Sequence, residues 1–294
     1  MRWKKVDGGG GVEDRRGEPG SGGGLGGGMG GIPFPVGKAG GGLGMILVLL
    51  VVLLFASGQC SGAGNSGLTP SLDPSPPADT TSAPPEGDTA AEFTKFVNQD
   101  VQALWEKVFT DSGRTYTRTP VVLFTSGTLT GCGPASSATG PFYCPADNKV
   151  YLDLSFFNEL SRRFGAPGDF AAAYVIAHEI GHHVQDELGI EAAMREKQQE
   201  DPQNANAWSV ALELQADCFA GVWAHSTYER GMLEEGDLDE GLNAAAAVGD
   251  DRLGARSREQ WTHGSSELRT KWFRRGFDSG KAGDCDTFQD VSEF

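Results

Sequence analysis

The sequence predicts an α+β domain, mainly helical with a small β-sheet, preceded by a single transmembrane helix. Three observations carry this. Apolar residues recur at helical spacing in several long stretches after residue 89. Short β-branched and aromatic runs bounded by turn residues lie between residues 120 and 154. An unbroken apolar run, Met45 to Ala56, stands ahead of both.

Residues 1–38 are glycine-rich with mixed charge and little apolar periodicity. Such a composition buries too little surface to offset chain entropy, so the segment is expected to be disordered. Met45–Ala56 is short for a span, but the uncharged flanks extend it to residues 39–63, long enough for a membrane anchor. It begins too far into the chain for a cleaved signal peptide. Gln59 is not the small residue a lipid-modified Cys60 would need before it. Arg2, Lys4, Lys5, Arg15, Arg16 and Lys38 precede the run, and no Lys or Arg follows until Lys95. That asymmetry predicts a single-pass protein of the cell membrane, N-terminus cytoplasmic and the remainder outside. Residues 64–88 are a Pro/Ser-rich linker, and residues 89–294 form the globular domain.

Within the domain, Phe93, Phe96, Val97, Val101, Leu104, Trp105 and Val108 mark an amphipathic helix over 90–111. Pro120–Thr125, Phe142–Cys144 and Lys149–Leu154 read as strands, and residues 126–140 as a polar, turn-rich loop. Helices are expected over 155–164, 169–188, 204–229, 237–249 and 264–277. The formal net charge of -16 repels a phosphate backbone, which argues against nucleic acid as a partner. Of the five cysteines none forms C-x-x-C, so a zinc ribbon or thioredoxin-type site is not indicated. Four cysteines lie in the globular part and allow three pairings; Cys132–Cys144 with Cys218–Cys285 is the expected one. Cys60 is left over near the membrane, for lipidation or intermolecular pairing.

The chemistry concentrates in Ala177-His-Glu-Ile-Gly-His-His183. On a helix, His178 and His182 lie one turn apart on one face and can reach one metal ion. Glu179 then leans toward the open coordination position as a general base for zinc-activated water. The bland reading is a surface helix with incidental histidines, but Ile176, Ile180, Val184 and Leu188 make a buried stripe beside them. A catalytic zinc site needs a third protein ligand. The H-E-x-x-H-x-x-G-x-x-H continuation is absent, since Gln185 and Leu188 occupy the required positions. Glu213 in Glu213-Leu-Gln-Ala-Asp217 is the candidate, with Asp217 one turn on to accept a ligand histidine's free ring N–H. A solvated acidic stripe is the alternative, and the apolar neighbours of these acids oppose it. His263, expected at the start of the last helix, is a tentative catalytic donor to an oxyanion, or else a surface helix-start residue. Tyr174 lies one turn before His178, as a site group or a core aromatic. His183 and His225 are expected beside the site or at the surface, not on the metal.

Gly140-Pro-Phe-Tyr-Cys-Pro145, Val150–Leu154, Phe164–Asp169, Ala177–Val184 and Glu213–Gly221 together resemble the bacterial family described as "putative neutral zinc metallopeptidase". The resemblance runs from about residue 90 to the C-terminus and includes Arg2-Trp3 and Val12–Arg16 ahead of a single anchor. It implies a membrane-bound, zincin-like metallopeptidase of the H-E-x-x-H plus glutamate type, with His178, His182 and Glu213 on Zn2+ and Glu179 as base. The expected activity is hydrolysis of a peptide or protein substrate, as an endopeptidase before an exopeptidase. The rival expectation is a non-enzymatic extracytoplasmic zinc-binding scaffold or quality-control module.

Overall fold

A computed structural model describes residues 1–18, 87–289, 291 and 294 of the chain. The expected anchor at 39–63, Cys60 and nearly all of the expected linker lie outside the described residues. Among the described residues no helix is long and apolar enough to cross a membrane.

The strands are β1 (Val12–Asp14), β2 (Val121–Phe124), β3 (Gly127–Thr130), β4 (Gly133–Ser136), β5 (Phe142–Cys144) and β6 (Lys149–Asp153). Four of them form a mixed sheet in the order β1-β2-β6-β5, with β1, β2 and β6 parallel and β5 antiparallel at one edge. Val121, Val122, Leu123 and Phe124 are all buried, as an unbroken apolar strand must be when both faces of its sheet are covered. β3 and β4 make a separate antiparallel hairpin where the sequence suggested only a turn-rich loop. Their residues, Gly-Thr-Leu-Thr and Gly-Pro-Ala-Ser, carry too few apolar groups to show a strand period.

The helices are α1 (Gly87–Asp111), α2 (Ser155–Arg162), α3 (Asp169–Glu187), α4 (Ile190–Glu200), α5 (Ala205–Glu229), α6 (Asp237–Ala247), α7 (Asp250–Leu253) and α8 (Ser266–Ser279). In α1, Phe93, Phe96, Val97, Val101 and Trp105 of the expected stripe are buried, and Leu104 and Val108 are partly buried against the same core. α3 is buried on nearly all sides and packs against α1, α5 and α6. It starts after Gly168 and stops before Gly189, whose φ of 74° is left-handed. α4 was not visible in the sequence, because a charged, half-exposed helix shows little apolar periodicity. Two disulfides join Cys132 to Cys144 and Cys218 to Cys285. The second ties the C-terminal segment to the middle of α5.

The first eighteen residues correct the expectation of disorder over 1–38. They are part of the packed domain. Met1 is buried, and Trp3 sits edge-on to Phe93 with ring centroids 5.3 Å apart. Gly10 and Gly11 hold left-handed backbone at φ 55° and 71° and press against α1, where a Cβ would meet Lys95 and Asn98 at 2.8 Å. The glycines that composition counts as flexible are here what close approach requires. The arm is stabilised by contacts more than eighty residues away in sequence, so no local pattern could reveal it.

At the N-terminus of α3, Glu240 accepts a hydrogen bond from the Phe170 N–H at 3.0 Å. Burial, with Asp169 and Asp237 alongside, pushes its carboxyl up to about 7, although the Phe170 N–H works the other way. The folded protein therefore holds a proton that the unfolded chain has released. Glu240's contribution is present below about pH 4.5 and is lost as pH rises through about 7. Glu240→Gln keeps an acceptor for Phe170 and removes the titration. Melts from pH 4.5 to 8 should show a flatter stability profile for this variant, and an unchanged slope would refute the assignment.

Candidate metal centre

α3 brings His178 and His182 to one face, and α5 crosses it with Glu213 opposite them. The crossing is close because Gly181 faces α5: a Cβ there would lie 3.1 Å from both the Cα and the carbonyl oxygen of Ala216. The absence of a side chain at Gly181 thus sets how near Glu213 comes to the histidines. His178 Nε2 stands 3.2 Å from Glu213 Oε2, His182 Nε2 3.4 Å from Glu213 Oε1, and the two Nε2 atoms are 3.2 Å apart. Ligands at zinc bonding distances on a tetrahedron are separated by about 3.3 Å. The donor set, two imidazole nitrogens and a carboxylate oxygen, fits Zn2+ in chemistry and in spacing.

Each ring is oriented from behind. His178 Nδ1 lies 2.9 Å from Asp217 Oδ1, and His182 Nδ1 lies 2.9 Å from Gln185 Oε1. Both Nδ1 atoms are engaged, so both Nε2 atoms face the site. Gln185 is held in turn by donating to the Leu212 carbonyl at 2.8 Å and to Gln215 Oε1 at 3.1 Å. Asp217 is fully buried between His178 and Arg269 of α8, whose Nε and Nη2 donate to Oδ2 at 2.7 Å and Oδ1 at 2.9 Å. Tyr174 donates its hydroxyl to Asp217 and accepts from Arg269 at 3.2 Å. α8 reaches this position because Gly221 and Gly276 let the two helix backbones touch.

The electrostatics follow from burial and pairing. Burial works against charge on His182, but the Glu213 carboxylate overrides it and pushes the imidazolium up to about 10. Burial likewise opposes charge on Glu213, and the two histidines nonetheless hold it well below the usual carboxylate range. A divalent cation would displace protons from these donors, so its affinity should rise with pH. Burial raises Glu179, while His178, His182 and the Tyr143 N–H pull it down. A carboxylate raised toward neutrality is a better proton acceptor. Burial would also raise Asp217, but Arg269 and His178 keep it ionised.

The other predicted residues have partners of their own. His263 precedes α8, two residues before its Ser265 cap, and bonds through Nδ1 to Asp250 at 3.0 Å. It contacts none of the three donors among the hydrogen bonds of the described residues. His183 is buried beneath the sheet edge between Tyr143 and the Thr117 carbonyl. His225 bonds the Phe277 carbonyl. Asp169, Asp237 and Glu240 form a second carboxylate cluster, but the Met1 ammonium already sits there, 2.6 Å from Asp169 and 3.2 Å from Asp237. Sequence reasoning missed Gln185 and Arg269. Gln185 was within reach, since it stands three residues from His182 on the same helix. Nothing local marks Arg269, which arrives from a helix more than fifty residues after Glu213.

Two histidines one turn apart, a glutamate between them in sequence and a carboxylate from the next long helix define a metallopeptidase-type metal site of the H-E-x-x-H class. The profile of the family described as "putative neutral zinc metallopeptidase" matches residues 1–288, and the chain belongs to that family. It is 46% identical to the uncharacterised protein YpfJ of Escherichia coli strain K12, over 98% of this chain and 99% of that one. It is 43% identical to the uncharacterised protein Rv2575 of Mycobacterium tuberculosis strain H37Rv, over 68% of this chain and 73% of that one. No solved structure matches the chain.

Proposed function

We propose that the domain is a zinc-dependent metalloendopeptidase that hydrolyses peptide bonds with Glu179 as general base. The observation that carries this reading is the convergence of His178, His182 and Glu213 with Glu179 beside them. Zinc, when bound, supplies Lewis acidity toward a scissile carbonyl and lowers the pKa of water. Glu179 holds the proton taken from that water and passes it to the departing amine. Asp217 and Gln185 fix the ring orientations, and Arg269 keeps Asp217 charged and in place.

The scaffold alternative calls for a fourth protein ligand. The residues the sequence offers for that role are engaged elsewhere: Asp217 with His178 Nδ1 and Arg269, His225 with the Phe277 carbonyl. This favours a site with a position left for substrate. The apolar run at residues 45–56 would hold the enzyme at a membrane.

The test is metal analysis joined to a peptide-library digest. Wild type should carry one zinc per chain and cut peptides internally. Chelation should remove both metal and cleavage, and added zinc should restore both. Glu213→Ala should lose zinc at concentrations that saturate wild type. Zinc retained at wild-type affinity by Glu213→Ala would remove Glu213 from the site, and trimming only from peptide ends would replace the endopeptidase reading with an exopeptidase one.

A further inference from the structure

We infer that the first eighteen residues and the metal-binding domain lie on the same face of the membrane, so that no single crossing separates them. The inference does not rest on the peptidase reading. β1 is hydrogen-bonded in parallel to β2, in the register Val12 to Val121, Glu13 to Val122 and Asp14 to Leu123. The ladder continues at both ends, with the Val121 N–H on the Gly11 carbonyl at 2.9 Å and the Arg15 N–H on the Leu123 carbonyl at 2.8 Å. Asn98 of α1 donates to the Gly10 carbonyl at 2.8 Å, Lys149 of β6 pairs with Glu13 at 2.8 Å, and the Arg2 N–H bonds the Met232 carbonyl at 2.7 Å. Bonds of this length cannot form across a hydrocarbon layer of about 30 Å.

The domain also needs the arm. Removing it would bare the edge of β2, whose side chains are all buried, and would take from Asn98 the carbonyl partners that compensate its burial. A sequence-based orientation rests on the basic residues before residue 39, yet that rule weighs charges within about 15–20 residues of a span. Among those six basic residues only Lys38 falls inside that reach of residue 39; Arg15 and Arg16 are folded against Glu13 and Asp14. The two disulfides place the domain in an oxidising compartment. The arm goes with it. An N-terminus in the cytoplasm with the domain outside is incompatible with this packing.

The experiment uses the full chain in its membrane. Cys60 is the cysteine outside the two disulfides, so Cys60→Ser clears the background. Two single-thiol variants are then built on it: Gly9→Cys, where a Cβ meets nothing within 4 Å, and Gln199→Cys on the exposed side of α4. Spheroplasts are treated with a membrane-impermeant maleimide, and labelling is compared with that after detergent. Zinc content equal to that of the Cys60→Ser parent shows that each variant has folded. Labelling of both thiols without detergent, or of neither, supports one face; the first outcome is expected from the disulfides. Labelling of one and protection of the other overturns the inference.

Discussion

Glu179→Gln should bind zinc as wild type does and hydrolyse peptides about 10²–10⁴-fold more slowly. The side chain is not among the three converging donors, so its removal leaves them in place. Gln is close in size to Glu and keeps an acceptor for the Tyr143 N–H, so packing at this buried position should hold. What it loses is basicity, which burial has raised in Glu179. The loss should therefore fall on kcat, with zinc stoichiometry and thermal stability close to the parent. A variant that cleaves at the wild-type rate would take the base assignment away from Glu179. One that drops its zinc would instead make Glu179 part of the metal-holding set.

Arg269→Met should be the most destabilising single change around the site. Met fills similar length but leaves Asp217 buried, without its guanidinium partner, beside a histidine. Removing one partner of a buried ion pair costs about 3–5 kcal/mol, and in a domain of this size the midpoint should fall by on the order of 10 °C. Arg269→Lys should recover little, because the two parallel bonds to Asp217 need a planar fork. The double variant Arg269→Met with Asp217→Asn separates stability from positioning. It should regain much of the lost stability, since no unpaired charge is left where the Arg269–Asp217 pair was buried. Its zinc affinity should stay about 10–100-fold below wild type, because His178 has lost its ionised partner. A single Arg269→Met variant that melts with wild type would show that Asp217 is not held as a buried anion.

The parts that were legible before any coordinates share one property: their pattern is local. α3 was expected over 169–188 and spans Asp169–Glu187, because an apolar stripe, a preceding Gly-containing break and a following glycine all lie within one stretch. α5 was expected over 204–229 and spans Ala205–Glu229, again from a run of apolar residues within one stretch. The histidine pair and the Glu213/Asp217 pair were readable because residues four apart on a helix share a face. β3 and β4 escaped because a short polar hairpin has no apolar period, and α4 because its exposed face outweighs its buried one. The partner of His263 escaped too, since the bond from its Nδ1 to Asp250 depends on how the α7–α8 loop folds, and no spacing rule reports that.

By itself the sequence determined that His178 and His182, and Glu213 and Asp217, share helix faces and on which helices they ride, since helix geometry converts spacing into direction without reference to the rest of the molecule. Tertiary structure alone decided how near α5 approaches α3 across Gly181, that Arg269 arrives from α8 to anchor Asp217, and that residues 1–18 complete the sheet beside β2. Those depend on contacts between segments tens to more than a hundred residues apart, whose energy comes from surfaces that exist only once the chain has packed.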